Sequence, residues 1–156
     1  NLIARAPTGE KDDFGWDIWK PANINEAKIQ GVELSANFSL FSLDHQLAYT
    51  YLDAENKQTG EELIGRSENE FNYQLSYGWD QVDLLANYHY QGKRYAGSND
   101  FFDATHQLDL SIGYQLDDAW SLRLKANNLF DEEIISAQNY FSPGREFYFS
   151  VSYQAF

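Results

Sequence analysis

The sequence predicts an all-β protein, an antiparallel up-and-down segment of a transmembrane β-barrel. Three observations support this fold class. Apolar residues recur at every second position in seven segments, the connections between those segments alternate between short and long, and aromatic residues make up 17% of the chain. Such alternation keeps the average polar, and the mean hydropathy is −0.58. Because no run of about 18 apolar residues is present, we do not expect a membrane-spanning helix.

The seven segments have the period of two that is typical of β-strands. In residues 32–40, for example, five apolar side chains share one face and four polar side chains share the other. The remaining segments are 45–51, 71–79, 82–90, 107–116, 120–126 and 145–156. Residues 1–5 are expected to form the upper end of a further strand, which suggests that this chain is part of a longer exported protein.

The connections predict a meander of hairpins. Short turns are expected near residues 41–44, 80–81 and 117–119. Longer loops are expected at residues 6–23, 54–68, 92–105 and 129–144. Since short and long connections alternate along the chain, all the long loops should lie at one end of the sheet.

The apolar face has two possible environments, the core of a soluble sandwich or lipocalin-like barrel, or lipid. Lipid is favoured because charged residues occupy mid-strand positions of the opposite face, namely Glu33, Asp83, Asp109, Arg123 and Lys125. Strands of about ten residues are long enough for a tilted strand to cross hydrocarbon. Aromatic residues also cluster near the strand ends, as in an interfacial girdle: Trp79, Trp120, Tyr49, Tyr51, Tyr88 and Tyr90. The charged face alone does not distinguish a soluble sheet from a lipid-facing one, because a soluble sheet could expose its charged face to water.

A spanning sheet must close, because an open edge in lipid would leave backbone groups unpaired. Seven segments and residues 1–5 reach the eight strands of a small barrel, but such a barrel is filled by its own side chains. The polar face here is dominated by serine, asparagine, glutamine and glycine, which suits a wide or plugged lumen. We therefore expect part of a larger barrel.

The composition argues against several other functions. The chain has 24 acidic and 11 basic residues, so a nucleic-acid partner is not expected. It has no cysteine, and its acidic loops lack the spacing of a calcium loop, so we predict neither a cofactor nor a metal. The histidines His45, His89 and His106 fall on separate elements without a catalytic triad, so we do not expect an enzyme.

The C-terminal residues 127–156 resemble the end of a TonB-dependent outer-membrane receptor. The shared features are Asn-Leu-Phe-Asp at 128–131, Gly-Arg-Glu at 144–146 and an alternating terminal strand. Four upstream segments resemble the cobalamin receptors of that family in particular: 29–40, 47–56, 72–79 and 88–95. The resemblance implies about the last eight strands of a 22-stranded barrel, in the outer membrane of a Gram-negative bacterium.

The resemblance also implies partners. These are outer-membrane lipid, the plug and remaining strands of the receptor, TonB acting through the plug, and cobalamin or a similar chelate. The terminal aromatic Phe156, with Tyr153, resembles the signal read by the barrel-assembly machinery. A ferric-siderophore receptor, or a free-standing small barrel with a structural or adhesive role, are the alternatives.

Four loop residues are candidate substrate contacts by the same resemblance. Tyr140 falls where the cobalamin receptors have a substrate-contacting loop tyrosine, and an aromatic ring there could lie against the flat corrin. Arg66 lies next to a contact position that falls on Gly65. Arg94 and Tyr95, in the segment YQGKRY, are expected at the lip of the same mouth.

Overall fold

The computed structural model describes residues 2–24, 26–137 and 140–155, in which thirteen strands form. In chain order they are β1 Leu2–Lys11, β2 Asp17–Ile24, β3 Ala27–Leu40, β4 Leu43–Asn56, β5 Asn69–Trp79, β6 Val82–Gln91, β7 Arg94–Gly97, β8 Asp100–Phe102, β9 Thr105–Gln115, β10 Trp120–Asn127, β11 Ile135–Ala137, β12 Tyr140–Phe141 and β13 Glu146–Tyr153. Among the described residues no helix is long and apolar enough to span a membrane.

Seven of these strands form one antiparallel sheet, in the order β3-β4-β5-β6-β9-β10-β13. They are the seven segments predicted from the period of two, and the predicted meander is confirmed. β3 begins at Ala27 and β4 ends at Asn56, both beyond the predicted bounds. The apolar alternation does not predict these extensions, because polar residues replace apolar ones on that face, such as Gln30 opposite Asp53. The backbone hydrogen-bond ladder between the two strands nevertheless continues.

Short turns connect neighbouring strands at one end of the sheet, which we call the short-turn end. Leu40 pairs with Leu43, and the two residues between them both have positive φ, 52° at Phe41 and 62° at Ser42. This is the two-residue turn whose twist matches that of antiparallel strands. The turn before β10 is held by Asp117, whose carboxylate accepts hydrogen bonds from the Ala119 and Trp120 amides at 2.9 and 2.8 Å.

The opposite, long-loop end contains more strand than the sequence predicted. Residues 6–23 were expected to be a loop, which is wrong: β1 continues to Lys11 and pairs with β2. Hairpin β7–β8 lies within the expected loop 92–105, and hairpin β11–β12 within 129–144. These hairpins are separate two-stranded sheets, which need no apolar alternation because neither face has to cross lipid.

Residues 2–5 are a strand, as expected, but their partner is β2. Arg5 pairs with Pro21, and Leu2 pairs with Ile24. In the ranges that the structure describes, β1 and β2 form a sheet of their own, apart from the seven-stranded one. The strand at residues 2–5 agrees with the expected upper end of a further strand, and it continues into a hairpin at the long-loop end.

The apolar face of the seven-stranded sheet is open to its surroundings. Leu34 is 62% exposed and Phe149 is 67% exposed. The total accessible surface is 11371 Å², whereas a compact monomer of 18.0 kDa would expose about 8,000 Å². No described segment forms a second layer over this face, so the soluble sandwich is wrong for these residues and a lipid-facing wall fits.

Aromatic side chains border this apolar face at both ends. At the short-turn end Trp79 is exposed, and the rings of Trp120 and Tyr153 lie 4.7 Å apart. Towards the long-loop end the Tyr49 hydroxyl donates a hydrogen bond to the Asn69 side chain at 2.6 Å. Rings with one apolar side and one polar end favour the interface between hydrocarbon and water.

Candidate functional site

The polar face of the sheet carries a row of uncharged amide side chains. Asn37, Gln46, Gln74 and Asn87 are successive cross-strand partners on β3, β4, β5 and β6. They line a hollow of about 370 Å³. In the next row Nδ1 of His89 lies 2.7 Å from the Asn72 side-chain oxygen. The hollow offers many hydrogen-bond donors and acceptors without net charge, so it suits water or a polar occupant.

On the same face, nearer the short-turn end, an ion pair joins two strands that are separated by a third strand. Asp83 and Arg123 both pair with Gly113 in register, and their side chains meet above it in two hydrogen bonds of 3.0 and 3.2 Å. Arg123 also donates to the Ser111 hydroxyl at 3.1 Å. A Cβ atom at position 113 would collide with the Asp83 carboxylate, so the bidentate pair depends on the glycine.

The other two histidines lie on the apolar face. Nδ1 of His45 is 2.8 Å from the Tyr73 hydroxyl, and the His45 ring stacks on Phe38. Nδ1 of His106 is 2.7 Å from the Tyr88 hydroxyl. The three histidines are thus apart and each has a wall partner. Among the described residues there is no cluster of three or more groups that could hold a metal.

The Asn-Leu-Phe-Asp motif forms a hydrogen-bond network in the loop between β10 and β13. Asn128, at a φ of 49°, is buried, and its side chain bonds the Glu132 amide, the Glu132 carbonyl and the Pro143 carbonyl. The backbone amide of Asn128 donates a hydrogen bond to the Asp109 carboxylate at 2.8 Å. The motif therefore fixes the base of the loop that carries Tyr140. The sequence pattern alone does not reveal this role, because it depends on contacts between residues that are distant in the chain.

Asp131 joins the same loop base to the start of β13. Its carboxylate accepts a hydrogen bond from the Arg145 amide at 2.8 Å and pairs with the Arg145 guanidinium at 3.6 Å. That guanidinium also donates to the Leu129 carbonyl at 3.2 Å. Residues 128–131 and 144–146 are therefore hydrogen-bonded to each other, and together they form the base of the loop between β10 and β13.

Two of the four predicted contact residues are exposed on separate loops. Tyr140, in β12, is 71% exposed. Arg66 is exposed on the loop between β4 and β5, beside a small hollow that it lines with Glu62 and Glu68. Contact of these two side chains with a ligand stays a prediction.

The other two candidates are buried. Arg94 is 5% exposed and Tyr95 is 7% exposed, within hairpin β7–β8. The ring of Tyr95 packs against Phe101 at 5.4 Å. The Arg94 side chain contacts Ile135 of a neighbouring loop, whereas the Tyr95 ring packs within its own hairpin. Their position at the lip of the mouth stays a prediction.

The C-terminal aromatic pair is partly described. Tyr153 ends β13 and is exposed beside Trp120, while the Gln154 amide donates to the Ala119 carbonyl at 2.9 Å. Phe156, the other predicted part of the assembly signal, lies outside the described residues. The assembly signal itself stays a prediction.

The turn between β1 and β2 displays two exposed aromatic rings, which no motif in the sequence singles out. The Asp12 carboxylate accepts hydrogen bonds from the amides of Phe14 and Trp16, both at 2.9 Å. Lys11 forms an ion pair with Asp17 across the hairpin. The acidic residues of this loop therefore shape the turn, and both rings point into solvent.

Comparison with known proteins identifies the family of this architecture. A family model described as TonB dependent receptor-like, beta-barrel matches residues 1–129. The chain is 34% identical over 155 residues to the vitamin B12 transporter BtuB of Photobacterium profundum, covering 98% of this chain and 25% of that protein. It is 30% identical over 159 residues to BtuB of Vibrio vulnificus, covering 99% and 25%.

A solved structure agrees with the fold. A mutant of the ferric enterobactin receptor PfeA of Pseudomonas aeruginosa superposes with a TM-score of 0.71 at 25% identity, covering 98% of this chain and 27% of the receptor. The chain thus spans about a quarter of the length of the proteins it matches.

Proposed function

Because the chain belongs to the TonB-dependent receptor-like β-barrel family, we propose that it forms the C-terminal strands of an outer-membrane receptor that imports cobalamin. The observation that carries this proposal is the 34% identity to a vitamin B12 transporter over 98% of the chain. The relatives are transporters and receptors, and the histidines lie in wall contacts, so the proposed role is transport without a catalytic step.

The proposed location is the outer membrane of a Gram-negative bacterium, with the long-loop end outside the cell. The exposed apolar face and its aromatic borders support contact with outer-membrane lipid. We further propose that the plug, the remaining strands and the contact with TonB belong to the rest of the receptor. Tyr153 and Phe156 are the proposed signal for the barrel-assembly machinery.

We propose that Tyr140 and Arg66 contact the ligand. A tyrosine ring can cover part of the flat corrin, and an arginine can donate to its amide carbonyls. A ferric siderophore is the second candidate, since a ferric enterobactin receptor superposes on this chain. The net charge of −13 disfavours an anionic siderophore, because acidic loops repel it, whereas cobalamin has no such penalty.

The test is cyanocobalamin binding to the intact receptor in detergent. Tyr140→Ala should weaken binding about tenfold, in line with the loss of about 1–3 kcal/mol of ring burial. Tyr140→Phe, which keeps the ring, should change the dissociation constant less than about threefold. Binding of ferric enterobactin in place of cyanocobalamin would overturn the assignment of the ligand.

A second experiment addresses the free-standing barrel. An antibody against residues 129–145 should detect a polypeptide several times heavier than 18.0 kDa in outer membranes of the source cells. A band near 18.0 kDa would contradict the receptor, unless a second chain that supplies the plug and the missing strands co-purifies.

A further inference from the structure

The long-loop end holds most of the buried side chains of the described chain. Ala54, Leu63 and Tyr95 are buried apolar residues there, and Ser67, Arg94, Thr105 and Asn128 are buried polar ones. The wall strands face lipid or the polar hollow and so have little interior of their own. The loops therefore pack against each other, and these contacts decide whether they move separately.

Arg94 is the only charged residue among the buried side chains of the described ranges. Its guanidinium donates a hydrogen bond to the Ile135 carbonyl of β11 and lies over the Phe102 ring at 5.2 Å. Its backbone forms an isolated bridge with Ser67 of the β4–β5 loop. One side chain and its backbone thus touch three loops.

Burial of this cation has a cost that its surroundings offset. Burial lowers the pKa of the Arg94 guanidinium, and the Glu70 carboxylate opposes that shift. Glu70 is itself held by a hydrogen bond from the Gln91 side chain at 3.0 Å. A buried arginine with an aromatic ring, a carbonyl and a nearby carboxylate has a defined geometry, since its donors form a planar fork.

Other contacts join the same loops. The Gly65 amide donates to the Tyr95 carbonyl at 2.8 Å. A Cβ atom at Gly97 would lie 3.4 Å from both Ile64 and Trp19, so the β7–β8 hairpin fits closely between the β4–β5 loop and β2. The guanidinium bond to Ile135 extends this packing to the loop that carries Tyr140.

We propose that Arg94 is a positioning residue that locks residues 57–68, 92–104 and 132–137 into one rigid unit, the loop clamp. The clamp holds the loops of Arg66 and Tyr140 in their binding arrangement before the ligand arrives. This second statement rests on the proposed function, whereas the rigidity of the clamp does not. If binding needs the clamped state, the apparent dissociation constant rises in proportion as that state becomes rarer.

The first test is hydrogen–deuterium exchange of the intact receptor without ligand. Arg94→Ala should speed exchange at least about fivefold in peptides from residues 92–104 and 132–137, which its side chain joins, with no change in β4, β5 and β9. Residues 57–68 keep their backbone bonds to the β7–β8 hairpin and should change less. Lys93→Ala is the matched control, because this neighbouring cation is exposed and pairs only at the surface with Asp103, at 3.5 Å. Faster exchange confined to residues 92–104, or none, would overturn the clamp.

Arg94→Lys is a second variant, which decides the question if the receptor with Arg94→Ala does not fold. It keeps the charge and most of the stem but loses the planar fork, so exchange should rise in 132–137 while 92–104 stays near wild type. Unchanged exchange in 132–137 would contradict a role for the guanidinium.

The ligand arm uses cyanocobalamin. Arg94→Ala should reduce the association rate about tenfold and leave the dissociation rate within about twofold, because the bound state re-forms the clamp. A direct ligand contact would instead raise the dissociation rate, which would refute positioning. If wild-type receptor does not bind cyanocobalamin, the proposed function fails while the exchange experiment still decides the clamp.

Discussion

At the scale of single residues, glycine determines where charged groups can meet on the polar face. Gly113 lies between Asp83 and Arg123 in the register, and its missing side chain leaves the space in which their bidentate pair forms. Gly78 also pairs with Asp83, but a Cβ atom there would meet nothing within 4 Å. The two glycines flank the same aspartate and differ in what depends on them.

Gly113→Ala should therefore lower the free energy of unfolding by about 1–3 kcal/mol, because the new methyl group displaces the Asp83 carboxylate from Arg123. The measurement is urea unfolding of the receptor in lipid vesicles, followed by tryptophan fluorescence. Gly78→Ala is the control and should change the value by less than about 0.5 kcal/mol. Equal effects of the two substitutions would show that the ion pair does not depend on the glycine.

At the scale of elements, the β3–β4 turn uses residues that are poorly suited to its backbone. Both central residues have positive φ, yet they are Phe41 and Ser42 rather than the asparagine and glycine that this turn favours. The long ladder between β3 and β4, from Ala27–Asn56 to Leu40–Leu43, imposes the conformation. Local strain in the turn is thus offset by the register of the hairpin.

Replacing these two residues together, Phe41→Asn with Ser42→Gly, should raise the free energy of unfolding by about 1 kcal/mol, since left-handed backbone is less costly for the new pair. The same urea experiment measures it. As a control, asparagine and glycine at Asp117 and Asp118, where φ is not positive, should give no gain. Destabilisation at 41 and 42 would instead indicate that the exposed Phe41 ring anchors the turn in the membrane interface.

At the scale of the whole molecule, the two faces of one sheet meet different solvents. Leu34 and Ser35 are neighbours in mid-β3, and consecutive strand residues point to opposite faces. Leu34 belongs to the exposed apolar face, and Ser35 lines the polar hollow. An identical substitution at the two positions therefore compares lipid with the lumen at the same depth.

Leu34→Arg should reduce the free energy of folding into lipid vesicles by about 2–4 kcal/mol, as expected for a charge facing hydrocarbon at mid-strand. Ser35→Arg should cost less than about 1 kcal/mol, because its side chain reaches water or polar groups. The measurement is the folded fraction across a urea series. A larger cost at Ser35 than at Leu34 would invert the proposed orientation of the wall.

Much of the wall could be predicted from the sequence because lipid imposes a simple rule on each residue. Positions such as Val32, Leu110 and Phe147 face lipid, so apolar side chains recur every second residue and the strands can be recognised. The loops lack this rule. Hairpins β1–β2, β7–β8 and β11–β12 lie outside the wall sheet, so their sequences show no such period.

By itself the sequence determined the seven wall strands, their order, the end that carries the long loops and the face that meets lipid. Only the tertiary structure decided which side chains share a site. The amide row depends on the register of β3 to β6, and the burial of Arg94 depends on packing between loops that are distant in the chain. Alternation is a local consequence of the surrounding solvent, whereas register and loop packing arise from the combined contacts of many strands.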